Sequence, residues 1–234
     1  MKMKFKNQLL CLISFVFICS NNLFSQKENK QNLSDKVIAV VNDETILLSE
    51  FEKVSQPMIE DYKKKNPDIT DEKIKKFKET ILNEMVNNKL IIQKSKKEKI
   101  PISKRQLDQQ INNIKNQFGT ESSFEAELRK ENLTKEKFEE RVKEQLMAEE
   151  LTYREVTSNV TPPTQEEIDT LLKLIKQKLN GEKIEGLSEQ ENEDLTTLSK
   201  LINQFLTNKK TQSLYNKWVE KLRKEANIKI NPIE

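Results

Sequence analysis

Histidine is absent from this 234-residue sequence, and its two cysteines, Cys11 and Cys19, both lie within the first 25 residues. Triad-type nucleophilic catalysis, imidazole acid–base work and the usual zinc sites therefore lack their ordinary donors. Carboxylates are plentiful, but their spacing places them on polar helix faces, which do not provide the burial that a catalytic acid or base needs. Glycine is nearly as scarce: Gly119, Gly181 and Gly186 stand singly, so no glycine-rich loop is available to cradle a phosphate. No catalytic residue, metal site or cofactor is expected, and the chain reads as a non-enzyme. Few glycines and prolines among many Lys, Glu, Leu and Ile favour helix over sheet.

Long apolar runs are also missing. The longest, Leu9 to Ile18, has ten residues, too few to cross a bilayer as a helix. It follows Lys2, Lys4 and Lys6 and precedes a polar stretch from Asn21 to Ser25, the pattern of a secretory signal removed near Ser25. Lipidation of Cys19 is the second reading, although Ile18 fills a position that usually holds a small residue. Export would take both cysteines with the signal, leaving no thiol for a disulfide. Taking those three lysines from 41 basic residues leaves 38 against 38 acidic ones. Such neutrality gives no support for nucleic-acid binding, which depends on neutralising phosphates. No stable membrane insertion is expected.

The stretch VIAVVNDETILLSEFEK, residues 37–53, holds two short apolar runs around Asn42-Asp43-Glu44, and predicts a β-hairpin in an otherwise helical chain. A two-stranded ribbon is marginal in water, so a third strand is required. Ile228-Lys229-Ile230 is the candidate, which makes a small antiparallel sheet from the two ends of the chain. Burial of Leu214, Trp218 and Leu222 would offset the entropy of that closure, at roughly 1.5–3 kcal/mol for each large apolar side chain. Capping boxes predict helix starts at Ser49 with Glu52, Ser103 with Gln106, Ser122 with Glu125 and Thr164 with Glu167. Apolar stripes carry the helices: Phe51, Val54, Met58 and Tyr62 in the first, and a broad face from Ile74 to Ile92 in the second, the expected centre of the core. Residues 182–194 hold six acids against one lysine and are expected to form a solvated loop.

The order of DKVIAVVNDETILLSEFEK, then IPISKRQLDQQINNI, LTKEKFEERVKEQLMAEEL, TPPTQEEI and LYNKWVEKLRKEANIKI resembles the SurA family of periplasmic chaperones. The resemblance implies a mainly α fold, a multi-helix chaperone core of SurA/trigger-factor peptide-binding type, closed by the small sheet. With the signal and the polar, disordered 26–35 read from composition, the expected division is 1–25 signal; 26–35 disordered linker; 36–160 N-terminal helical chaperone region with the hairpin; 161–194 a helix and acidic loop in place of parvulin domains; 195–234 helices and a strand completing the core. Parvulin-type prolyl isomerase domains follow the equivalent of TPPTQEEI in the family. Here only about thirty residues separate that motif from the terminal helices, too few for such a domain. The expectation is thus an ATP-independent periplasmic holdase for unfolded exported polypeptides, outer-membrane proteins among them, without isomerase activity.

Met58, Tyr62, Phe118, Phe124, Met147 and Tyr153 are the candidate peptide-binding residues, because methionine repacks readily and tyrosine is amphipathic. Apolar groups at helical spacing are more often core, and that alternative stands for each of the six. The lysine runs 63–65 and 94–99 read as solvated helix ends, and the sequons at Asn32, Asn132 and Asn159 carry little weight. A non-catalytic envelope scaffold or assembly subunit docking one cognate partner is the alternative function. Self-association stays open.

Overall fold

The computed structural model describes residues 35–179 and 189–232. The signal segment, the linker before Asp35, most of the acidic stretch and the Gly181 helix stop lie outside the described residues. The described chain is mainly α. Seven helices accompany one three-stranded antiparallel sheet: β1 (Val37–Val41), β2 (Glu44–Leu47), α1 (Leu48–Lys65), α2 (Asp71–Lys97), α3 (Lys104–Asn116), α4 (Glu121–Lys130), α5 (Lys135–Glu155), α6 (Gln165–Leu179), α7 (Glu189–Lys224) and β3 (Ile228–Ile230).

The hairpin turns at Asn42, whose left-handed backbone (φ 54°) suits asparagine better than most residues. β1 pairs with β2 from Val41↔Glu44 to Val37↔Leu47, with an irregularity between Val37 and Ala39. On its other side β1 pairs with β3, Ala39 facing Ile230, Val40 facing Lys229 and Val41 facing Ile228. The order β2-β1-β3 puts β1 in the middle, so the C-terminal strand completes the sheet as expected. Ile38, Ala39 and Val41 are buried, as are Ile46 on β2 and Phe51 and Val54 on α1.

Two compact units divide the chain. The first holds residues up to Leu151 together with Lys221–Glu234, and the second Thr152–Glu220. Residues 195–220, expected to complete the core, therefore belong to the second unit. Trp218 and Leu214 are half-buried there, and of the three residues expected to offset strand return only Leu222 is buried in the first unit. Polar contacts also tie the returning segment to the first unit. Arg223 in the last turn of α7 donates to Asn87 Oδ1 at 2.7 Å and Asn83 Oδ1 at 3.0 Å on α2. Asn42 and Asn227 exchange two bonds, of 2.8 and 2.9 Å, and the Asn231 side chain donates to the Val37 carbonyl at 2.8 Å.

The cap motifs at Ser103 with Gln106 and at Thr164 with Glu167 form as expected. Two others are displaced. α1 starts one residue before Ser49: Glu50, rather than Glu52, reaches back to the Leu47 N–H at 3.0 Å, while Ser49 hydrogen-bonds Asp35 through both its N–H and its hydroxyl. α4 is capped by Thr120, which accepts from the Ser123 N–H at 3.1 Å, so Ser122 is already helical. The acidic stretch is also shorter as a loop than expected, because α7 is helical from Glu189 and runs to Lys224 as one element rather than several.

Candidate polypeptide-binding surface

The six sequence-predicted residues fall into different environments. Phe124 is only 2% exposed and sits among Ile111, Leu128, Phe138 and Val142, with its ring 5.7 Å from Phe118 and 5.1 Å from Phe138. It is a core residue of the α3–α4–α5 cluster and is out of a ligand's reach in this arrangement. Phe118 packs on the outside of the same cluster, half-buried, just before Gly119, whose backbone is left-handed (φ 75°). Met58 and Tyr62 are half-buried on α1 beyond Pro57, and Tyr62 stacks on Phe77 of α2 at 4.5 Å. Met147 is half-buried in the first unit. Tyr153, in the second unit, is 56% exposed.

Sequence periodicity gave no separate signal for three further residues of the second unit. Leu201 and Phe205, four apart on α7, are each 57% exposed, and Leu174 on α6 is half exposed. Ile168 and Ile202 carry the buried side of these helices. Lys210 of α7 donates to Glu167 Oε2 at 2.8 Å and to the Pro162 carbonyl at 3.4 Å, tying α7 to the start of α6. The Lys210 ammonium and the Thr164 N–H hold the Glu167 carboxyl below its usual range.

The two helices of the second unit thus carry three apolar residues that are half or more exposed, Leu174 on α6 and Leu201 with Phe205 on α7, the latter two sharing one helix face at i and i+4.

On α2, a polar cluster secures the sheet. Gln93 donates to the Val41 carbonyl at 3.1 Å and to Glu44 at 3.0 Å, Asn42 donates to Gln93 at 2.8 Å, and Lys89 pairs with Glu44 at 2.9 Å. Burial pushes the Glu44 carboxyl up, but Lys89 and Gln93 outweigh it and hold the group below its usual range. These partners are mutually satisfied, and the cluster is structural. Among the described residues no group of His, Cys, Asp and Glu is placed to hold a metal, and no helix is long and apolar enough to cross a membrane.

Fold and surface together define a class: a helix-rich scaffold, closed by a small sheet from both chain ends, that keeps apolar side chains in water. The chain belongs to the SurA-like N-terminal domain family, whose model matches residues 2–152. It is 28% identical over 177 residues to a protein named Chaperone SurA from Colwellia psychrerythraea, covering 75% of this chain and 40% of that protein. A Chaperone SurA from Hahella chejuensis is 27% identical over 145 residues, 62% of this chain and 33% of its own. The Foldase protein PrsA of Clostridium acetobutylicum is 24% identical over 136 residues, 53% of this chain and 41% of its own. The chain thus spans about two fifths or less of the length of these relatives.

Proposed function

We propose that this protein is a nucleotide-independent holdase of the bacterial periplasm that binds unfolded exported polypeptides, outer-membrane proteins among them, and carries no prolyl isomerase activity. The observation that carries this reading is the exposure of Leu174, Leu201 and Phe205 on α6 and α7 of the second unit. Leu201 and Phe205 adjoin on one face of α7, and adjoining large apolar side chains left in water are a mark of an interaction site.

An apolar segment of a client docked on these side chains removes surface from water at both partners, at about 25 cal/mol for each Å². A few such side chains support weak, rapidly reversible contacts. Binding only the unfolded state then lowers its free concentration and slows aggregation by mass action, with no fuel. Met58, Tyr62, Phe118, Met147 and Tyr153 are the further contact residues in this proposal, each partly or largely open to solvent.

Light scattering from a denatured β-barrel protein diluted into buffer, with and without this protein, tests the reading. Scattering is expected to fall with increasing protein, and a parallel prolyl isomerisation assay to stay at the uncatalysed rate. Unchanged scattering at severalfold molar excess removes the holdase. One tight stoichiometric partner, with no effect on unrelated clients, replaces it with the scaffold.

A further inference from the structure

β3 lies at the edge of the sheet, and its pairing with β1 decides which of its backbone groups are engaged. The Asn42 N–H donates to the Asn227 carbonyl, and the Asn231 N–H to the Ile38 carbonyl, both at 2.8 Å. Residues 227, 229 and 231 therefore turn their backbone toward β1, and the two-residue period of an antiparallel ladder turns the N–H and C=O of Ile228 and Ile230 outward. Those outward groups meet no hydrogen-bond partner among the described residues. They lie at the surface, since Ile230 is 42% exposed and Asn227 and Lys229 are exposed as well. At the opposite edge the Leu47 N–H is already taken by Glu50, and the chain passes at once into α1.

We propose that the outer edge of β3 is a strand-addition site, at which an extended segment of an unfolded polypeptide pairs with Ile228 and Ile230 as a fourth strand. The identity of the occupant rests on the holdase reading. The geometry of the edge does not. Backbone donors and acceptors two residues apart match any extended chain whatever its sequence, and Ile228 and Ile230, on one face, receive its alternate apolar side chains. A second copy of β3 fits less well, because antiparallel pairing about the strand centre sets Lys229 against Lys229, and like charges directly opposite are unfavourable. The strand is only three residues long and ends at Asn231-Pro232, which limits uncontrolled edge pairing and keeps binding weak.

The test uses a labelled peptide of roughly eight residues alternating valine and threonine, and the same peptide N-methylated at alternate amides. With the unmodified peptide, NMR hydrogen exchange at the Ile228 and Ile230 amides is expected to slow, and N-methylation to weaken binding roughly tenfold, as loss of one or two hydrogen bonds implies. Ile230→Pro is expected to weaken binding to the same degree with Tm unchanged, because the N–H it removes faces away from β1. Equal binding of the methylated peptide, unchanged exchange at both amides in the complex, or no binding at millimolar peptide overturns the proposal. So does a peptide-free dimer in sedimentation that already protects these amides. If the wild type suppresses scattering and Ile230→Pro does so equally, the edge fails and the holdase stands. If the wild type suppresses nothing, the holdase fails and the peptide measurements still decide the edge.

Discussion

Phe124 and Phe205 are both phenylalanines on helices, and what separates them is whether neighbouring elements cover the ring. Phe124→Ala empties a site enclosed by Phe138, Val142 and Ile111, and should destabilise the protein by about 3–5 kcal/mol in urea unfolding. Phe205→Ser removes a ring that is more than half exposed and should stay within about 0.5 kcal/mol of the wild type. Two acids make a similar contrast in pH dependence. Burial holds the Glu149 carboxyl above its usual range, with Gln145 opposing, so the folded state binds the proton more tightly than the unfolded chain, where the value is about 4.5. Its contribution to stability is then fully present at acid pH and is lost as pH rises from about 4.5 through the higher folded value. Glu149→Gln should accordingly raise Tm at pH 7 and leave it nearly unchanged at pH 4. Glu44 has the opposite sign: its folded pKa is lowered, so its stabilisation is present above about 4.5 and disappears as pH falls through the folded value. Glu44→Gln should cost about 1 kcal/mol at pH 7, kept small because the Lys89–Glu44 pair is partly open to screening solvent, and nothing at low pH.

The elements differ in how their ends are set. Ser103–Gln106 and Thr164–Glu167 are four-residue signals that need no distant partner, and both operate as read. Ser49–Glu52 has the same pattern and does not, because β2 runs directly into α1 and the helix begins where the sheet ends, leaving Ser49 to Asp35 and the box position to Glu50. Pro57 sits inside α1, where its missing N–H is expected to weaken the helix at that turn. β3 provides the sharpest element-level test. The backbone of Lys229 faces Val40, so Lys229→Pro removes a ladder donor and should cost about 1–2 kcal/mol, with faster hydrogen exchange at Val40. Proline one residue later, at Ile230, should do neither.

For the whole molecule, the two units differ in content: the first holds the sheet and the α3–α4–α5 cluster, and the second the exposed Leu174, Leu201 and Phe205. The double variant Leu201→Ser with Phe205→Ser should keep its unfolding midpoint and lose a large part of its suppression of light scattering. Full suppression by that variant would move client binding off these two residues. Most of the fold was legible beforehand: the helices, the hairpin at Asn42 and the return of Ile228–Ile230 to β1 all follow from periodicity, turn chemistry and the marginality of a lone ribbon. The candidate surface was legible only in part. Tyr153, a candidate for its amphipathic ring, is exposed, while Phe124, a candidate as an apolar ring near Gly119, is enclosed. Leu201 and Phe205 read as ordinary stripe residues and face water.

The sequence by itself determined the helical class, the strand segments, several helix starts and the poverty of chemical groups, because each depends on residue types or on spacings within a few residues. Only the tertiary structure decided that β1 is the central strand, that Arg223 and Asn227 secure the return, and which apolar side chains are covered. Burial is a property of partners distant along the chain, and local periodicity marks the greasy face of a helix without saying what, if anything, will lie against it.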